Sequence, residues 1–262
     1  MMNRILQSLT LLLLLYCTPS LSQETLNFTD PKGMKQGHWI KKYPNGAVMY
    51  DGFFKDDHPV GEFKRFYDTT IPRSVLIYSA DGREAEATLY HPDGTPASKG
   101  KYVNQKKEGK WQFYSPDPDG FLISEENYSE NRRNGLSVKY YPDGKMAEKV
   151  SFLNDQKNGE WIKYYENGKT WIRSVYKNGR LNGRFETWFE DGVPEFTGQY
   201  VDDARNGQWV IYNKNGTVRY KMEYINGSTK DRQMDIDASN FIDSLERTSS
   251  KVEDPEKSGG MW

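Results

Sequence analysis

Short runs of aromatic and β-branched residues alternate with Asn, Asp and Gly along this chain, regularly from Gly37 to Gly227. Between Gly159 and Gly183, two runs with strand composition, Trp161 to Tyr165 and Trp171 to Tyr176, are separated by Asn167-Gly168 and followed by Asn178-Gly179. Asn-Gly between such runs predicts a hairpin, with positive φ expected at the central residues of the turn. The predicted unit is therefore two antiparallel strands followed by a further turn.

The glycine that opens this unit recurs at Gly37, Gly61, Gly109, Gly135, Gly159, Gly183 and Gly207, in steps of 24, 48, 26, 24, 24 and 24 residues. A fixed period of this length predicts a repeat architecture, in which each hairpin buries its face against the next. The doubled step hides a degenerate unit, placed at Glu84 to Glu108, which lacks the opening Gly but keeps Tyr90-His91-Pro92-Asp93-Gly94. The step of 26 reflects a hairpin loop lengthened at Ser115 to Gly120, and near Thr69-Thr70-Ile71-Pro72 the usual turn is replaced. Eight units result.

Two residues after the opening Gly stand Trp39, Phe63, Trp111, Trp161, Phe185 and Trp209, with Ser137 breaking the column. Further rings end the first strand, among them Tyr43, Tyr67, Tyr141 and Tyr165. The hairpin turns then close on Gly46, Gly94, Gly144, Gly168, Gly192 and Gly216, each preceded by Asn or Asp. This pattern resembles the MORN (membrane occupation and recognition nexus) repeat family in its bacterial 24-residue variant, over about Gly37 to Gly227. The resemblance implies an all-β fold, an elongated and twisted antiparallel β-meander of about eight hairpin repeats and sixteen short strands; with no Gly-x-Ser-x-Gly or phosphate-loop motif in the sequence, the protein is expected not to be an enzyme. The resemblance also implies lipid-associated or dimerising scaffolds, and bacterial relatives labelled antitoxins or immunity proteins.

Outside the repeats the chain divides into a signal peptide at 1–22, a lead-in or cap at 23–36, a C-terminal cap with a short helix at 228–247, and a disordered tail at 248–262. The leader has Arg4 before an apolar run, Leu9 to Tyr16, too short to span a bilayer, which takes roughly 20 residues. Small residues at Ser20 and Ser22 predict cleavage before Gln23 and export to the periplasm or cell envelope. Tyr16 before Cys17 fits a lipobox poorly, so membrane association is expected only through lipidation at Cys17 or through a partner. Removal of Cys17 leaves no cysteine, which excludes disulfides and thiol chemistry. The predicted helix rests on the spacing of Ala238, Phe241, Ile242 and Leu245, with Asp237 or Ser239 as its cap.

Hydrophobic residues make up 35% and aromatic residues 14%, so the rings are expected to supply most of the apolar surface of a thin sheet. The net charge is −1, and the acidic tail leaves the repeats close to neutral. That balance argues against nucleic acid as a partner and against a polybasic lipid anchor. His38, His58 and His91 have no metal-ligand spacing. Asp117 and Asp119, and the pair Asp202-Asp203, are acidic candidates for calcium, but no EF-hand glutamate follows and turns also select Asp.

The expectation is a protein without cofactors or metal. The aromatic column is the candidate binding face, although the same rings read first as glue between neighbouring hairpins. The expected partner is an unidentified protein in the cell envelope, with homodimerisation left open. The alternatives are immunity against an exported toxin and recognition of envelope glycan or lipid through the rings. A transmembrane barrel is the structural rival, disfavoured because its strands need about 9 to 11 residues with an apolar lipid face.

Overall fold

The computed structural model describes residues 25–116, 119–230, 235–236 and 239–240. The leader, Cys17, Asp117 and the tail from 241 lie outside the described residues, as does most of the predicted C-terminal helix. No complete helix lies among the described residues.

With one exception, each strand pairs antiparallel with the next along the chain, from Phe28–Thr29 against Lys35–Lys42 to Ala204–Tyr212 against Val218–Tyr224. The sheet is an open meander. Eighteen strands are present among the described residues. Two of them, Arg180–Leu181 and Gly183–Trp188, both pair with Thr170–Lys177 and are halves of one strand broken at Asn182. With these merged and the two-residue lead-in strand set aside, the repeats contribute the sixteen strands expected from the pattern.

Two turn types alternate along the meander. At Tyr43 to Ala47 the Gly46 amide donates to the Tyr43 carbonyl, and Gly46 alone has positive φ, +87°. This is a type I turn followed by a left-handed residue, the usual three-residue hairpin loop. The expectation of positive φ at both central residues is therefore corrected at these turns. Asn or Asp precedes the glycine for another reason: its side chain accepts the amide two residues on, as Asn167 does from Lys169 at 2.9 Å and Asp143 from Lys145 at 3.0 Å. The turns between repeats have two left-handed residues, at Asp56-Asp57, Asn104-Gln105, Glu130-Asn131, Asn154-Asp155, Asn178-Gly179, Asp202-Asp203 and Asn226-Gly227, except the turn into the degenerate unit, where Gly82 alone is left-handed. Asp202-Asp203, once a calcium candidate, is one of these turns.

The opening glycine marks a bulge. Val150 faces Trp161 and Phe152 faces Lys157, so Ser151 opposes the three residues around Gly159. The degenerate unit has Ala85 in that slot, and its pairing with Pro72–Tyr78 runs without a register shift. Loss of the glycine and loss of the bulge are one event.

Candidate binding surface of the repeat sheet

Side chains alternate across a strand, so residues two and four after the opening Gly share one face of the sheet. The repeat then stacks equivalent residues strand after strand. Phe63, Trp111, Trp161, Phe185 and Trp209 come together on this aromatic face and are at most 4% exposed. Trp39, at the N-terminal end, is only partly buried. A ring without an exposed face offers nothing for a ligand to stack on. The five buried rings are packing, and what a ligand meets on this face is set by the residues around them.

Those residues include a second ring column that the sequence reading did not single out. Phe54, Tyr78, Tyr102, Tyr128, Phe152, Tyr176, Tyr200 and Tyr224 recur with the same period at the end of each second strand. Trp111 meets Tyr102 at 4.9 Å, Trp161 meets Tyr176 at 5.6 Å, and Trp209 meets Tyr200 at 5.2 Å, all edge to face. Small residues let the rings lie flat: a Cβ on Gly52, Gly100 or Gly198 would overlap Phe63, Trp111 or Trp209.

Cations cover the rings. Two residues before the opening Gly, Lys107 lies 4.8 Å from the Trp111 ring centre and 5.3 Å from Phe113 and Tyr128. Lys157 stands likewise over Trp161 and Tyr176, and Arg205 over Trp209 and Tyr224. Such contacts are worth about 0.5–2 kcal/mol, more when water is excluded. Lys107 is 2% exposed. A lysine in a strand reads as solvated in sequence, and the one sequence signal for this column is its spacing, steps of 50 and 48 residues that follow the repeat. Acids interrupt the cations in the middle of the face, where buried Glu148 accepts the Trp161 indole N–H at 2.7 Å and lies 3.5 Å from Lys139 Nζ.

The opposite face is charged and open. Gln112 lies there, donating to Glu125 at 2.9 Å, with Lys110 at 3.3 Å from the same carboxylate. Those donors hold the Glu125 carboxyl below the usual range, the Gln112 bond first. Lys64 pairs with Glu62 and Lys149 with Glu160. Exposed Phe53, Ile77, Leu136 and Val175 lie between these pairs. His38 stacks on Phe53 at 4.7 Å and lies 2.6 Å from Asp51.

Hydrogen bonds along the two sheet edges tie each repeat to the next. On the hairpin edge, the hydroxyls of Tyr43, Tyr67, Tyr141 and Tyr165 donate to the carbonyls of Phe66, Tyr90, Tyr164 and Trp188 at 2.6–2.8 Å. His91 takes the same slot in the degenerate unit, with Nε2 at 3.3 Å from the Tyr114 carbonyl. The Tyr165 hydroxyl is pushed up to about 12 by burial, with Glu195, Glu190 and Asp191 adding to it. On the other edge, Asp57, Asn131, Asp155 and Asp203 accept the amides of Lys35, Lys107, Arg133 and Leu181. His58 is exposed, and among the described residues no group of three His, Cys, Asp or Glu is placed to hold a metal. No helix among them is long and apolar enough to cross a membrane.

The family model described as MORN repeat variant matches residues 35–56, 83–104, 133–154, 157–178 and 205–226. The second match is the degenerate unit, and each begins two residues before the opening position. The sequence matches no curated protein. Among solved structures, the chain is similar to part of a crystal structure of TcdB2-TccC3-TEV, at 11% identity and a TM-score of 0.20. That match covers 77% of this chain and only 13% of the other, and a score so low carries no argument.

Proposed function

The chain belongs to the MORN repeat family, and we propose that it is a non-enzymatic scaffold that is exported and binds a protein partner in the cell envelope. Repeats of this family generally mediate protein or membrane contacts. One observation carries the choice of a protein partner: the open face repeats paired charges around exposed Phe53, Ile77, Leu136 and Val175 over many strands. A long face that mixes ion pairs with separate apolar side chains suits another protein surface better than a small ligand, which takes a concave apolar pocket. The recess between Ser79, Asp81, Arg83 and Asn104 is open and only half apolar by comparison. Export rests on the leader, with Gln23 as the first residue of the mature protein. An exported toxin, met outside the cytoplasm, is the partner that an immunity role requires.

The test is crosslinking capture of the tagged protein from envelope fractions of its own host, beside the Ile77→Ser and Val175→Ser variants. A stoichiometric protein lost from both variants supports the scaffold, and its identity separates scaffold from immunity protein. Recovery of glycan or lipid without protein overturns the reading. The mass of the mature chain decides export separately: a start at Gln23 supports it, and an intact Met1 removes it.

A further inference from the structure

The aromatic face is basic. The aromatic face carries Arg65, Lys107, Lys139, Lys157, Lys163 and Arg205, while its acids are Glu126, Glu148 and Glu195. At its C-terminal end one carboxylate from beyond the repeats is already seated. Arg205 Nη1 donates to Asp235 Oδ1 at 2.8 Å, and the Tyr224 hydroxyl donates to the same oxygen at 2.9 Å. The slot that holds Asp235 is built by the repeat itself: a cation two residues before the opening Gly, backed by two rings. Lys157 over Trp161 and Tyr176 is the same slot two repeats earlier, and Lys107 over Trp111 and Tyr128 is the same slot four repeats earlier.

From residue 241 to 262 the sequence has five acidic residues, Asp243, Glu246, Glu253, Asp254 and Glu256, against three basic ones. We propose that the aromatic face is the docking groove of the chain's own acidic C-terminal segment, residues 241–262, whose carboxylates meet the repeat cations as Asp235 meets Arg205. Reach agrees with this assignment. Strands lie about 4.8 Å apart, which puts the Lys157 slot about 19 Å and the Lys107 slot about 38 Å from Arg205. Glu246 stands eleven residues beyond Asp235 and Glu253 to Glu256 eighteen to twenty-one. An extended chain covers about 3.3 Å per residue, so these acids span both distances. Opposite charge on groove and segment then favours docking within the chain over release, more so at low salt. A groove filled in this way leaves the open face for partners, so the assignment stands whether or not the scaffold reading does.

Zero-length carbodiimide crosslinking of the purified full chain, followed by peptide mapping, tests the proposal. Lys145–Asp143 at 2.7 Å and Lys101–Glu84 at 2.8 Å are internal controls. The expected result is links from Lys107, Lys157 or Lys163 to Glu246, Glu253, Asp254 or Glu256, at least tenfold weaker in 1 M salt than in ~0.05 M salt. Control links without any such link overturn the proposal. A mixture of isotopically light and heavy chains assigns the occupant: light-to-heavy links place the segment on a second copy and overturn the assignment to its own chain. In a second measurement, Glu246, Glu253, Asp254 and Glu256 are all replaced by Gln. Acetylation of Lys107 and Lys157 is expected to be at least fivefold faster than in the parent chain, and equal rates with the control links retained overturn the proposal.

Discussion

Glu148 accepts the indole N–H of Trp161 at 2.7 Å, and both side chains are buried. Lys139 approaches the same carboxylate at 3.5 Å. Removing the carboxylate leaves the buried indole N–H without its acceptor and takes an ion partner from the partly exposed Lys139, and leaving a buried donor unmet costs more than the net value of the bond itself. Glu148→Ala is expected to cost about 3 kcal/mol, and Glu148→Gln, which keeps an acceptor for the indole, about half as much. Urea unfolding measured for both variants decides, and equal midpoints for Ala and Gln would count against the indole bond.

Gly100 lies under the five-membered ring of Trp111, where an added Cβ would overlap ring atoms. Trp111 is fully buried, and its N–H donates to the Lys101 carbonyl at 3.1 Å, so the ring has no free direction in which to move. Overpacking at such a site costs about 1–3 kcal/mol. Gly100→Ala is therefore expected to lower the thermal midpoint by several degrees. Gly37→Ala is the control for added volume, since no atom lies near its Cβ and only its φ of +69° resists the change.

The Tyr165 hydroxyl donates to the Trp188 carbonyl at 2.7 Å, and its ionisation is pushed from 10.0 up to about 12. Between those values the unfolded chain has lost the proton while the folded chain still holds it. Stability contributed by this group is thus complete below pH 10 and falls as pH rises toward 12. Tyr165→Phe is expected to cost about 1 kcal/mol at neutral pH and to flatten the alkaline loss. Unfolding free energies from pH 8 to 12 check both, and parallel curves for the two proteins would sink the second.

The period, the opening glycines, the first ring column and the turn glycines were legible because each answers to a local rule of strand or turn chemistry. Lys107, Lys157 and Arg205 were not, because polarity alone assigns a strand lysine to solvent. Their stems and head groups lie over rings instead, and that is visible only once two neighbouring strands are in register. The turns failed in another way. Asn-Gly chemistry predicts a left-handed Asn167, whereas its side chain serves as acceptor for the amide two residues on, as that of Asp143 does in its own turn. The same residue types suit both roles, and only backbone geometry separates them.

Asp155 shows both roles at once. Its φ is +67°, and its Oδ1 accepts the Arg133 amide at 2.9 Å while its own amide donates to the Arg133 carbonyl at 2.9 Å. Asp155→Asn keeps the acceptor and tolerates the left-handed backbone, so near-neutral stability is expected. Asp155→Gly keeps the backbone and loses the bond, at about 1 kcal/mol, the state already found at Gly179 and Gly227. Asp155→Ala loses both, at about 2 kcal/mol. The order Asn, Gly, Ala in chemical denaturation is the check; Ala equal to Gly would remove the backbone contribution.

Thr70 occupies the left-handed slot that Gly46, Gly94, Gly144, Gly168, Gly192 and Gly216 fill in other units, with φ of +73°. Its amide donates to the Tyr67 carbonyl and the Tyr67 amide to the Ile71 carbonyl, so the loop closes as the glycine loops do despite the β-branched side chain. Holding such a residue there costs about 1–2 kcal/mol. Glycine removes that strain and gives back roughly 0.5–1 kcal/mol through its freer unfolded chain. Thr70→Gly should therefore stabilise the protein by about 0.5–1 kcal/mol, whereas Gly168→Val, the reverse exchange at φ of +84°, should destabilise it by about 2 kcal/mol. Thermal midpoints of the two variants give opposite signs if the left-handed slot governs both turns, and a destabilised Thr70→Gly would mean that the threonine side chain contributes more to its loop than its backbone costs.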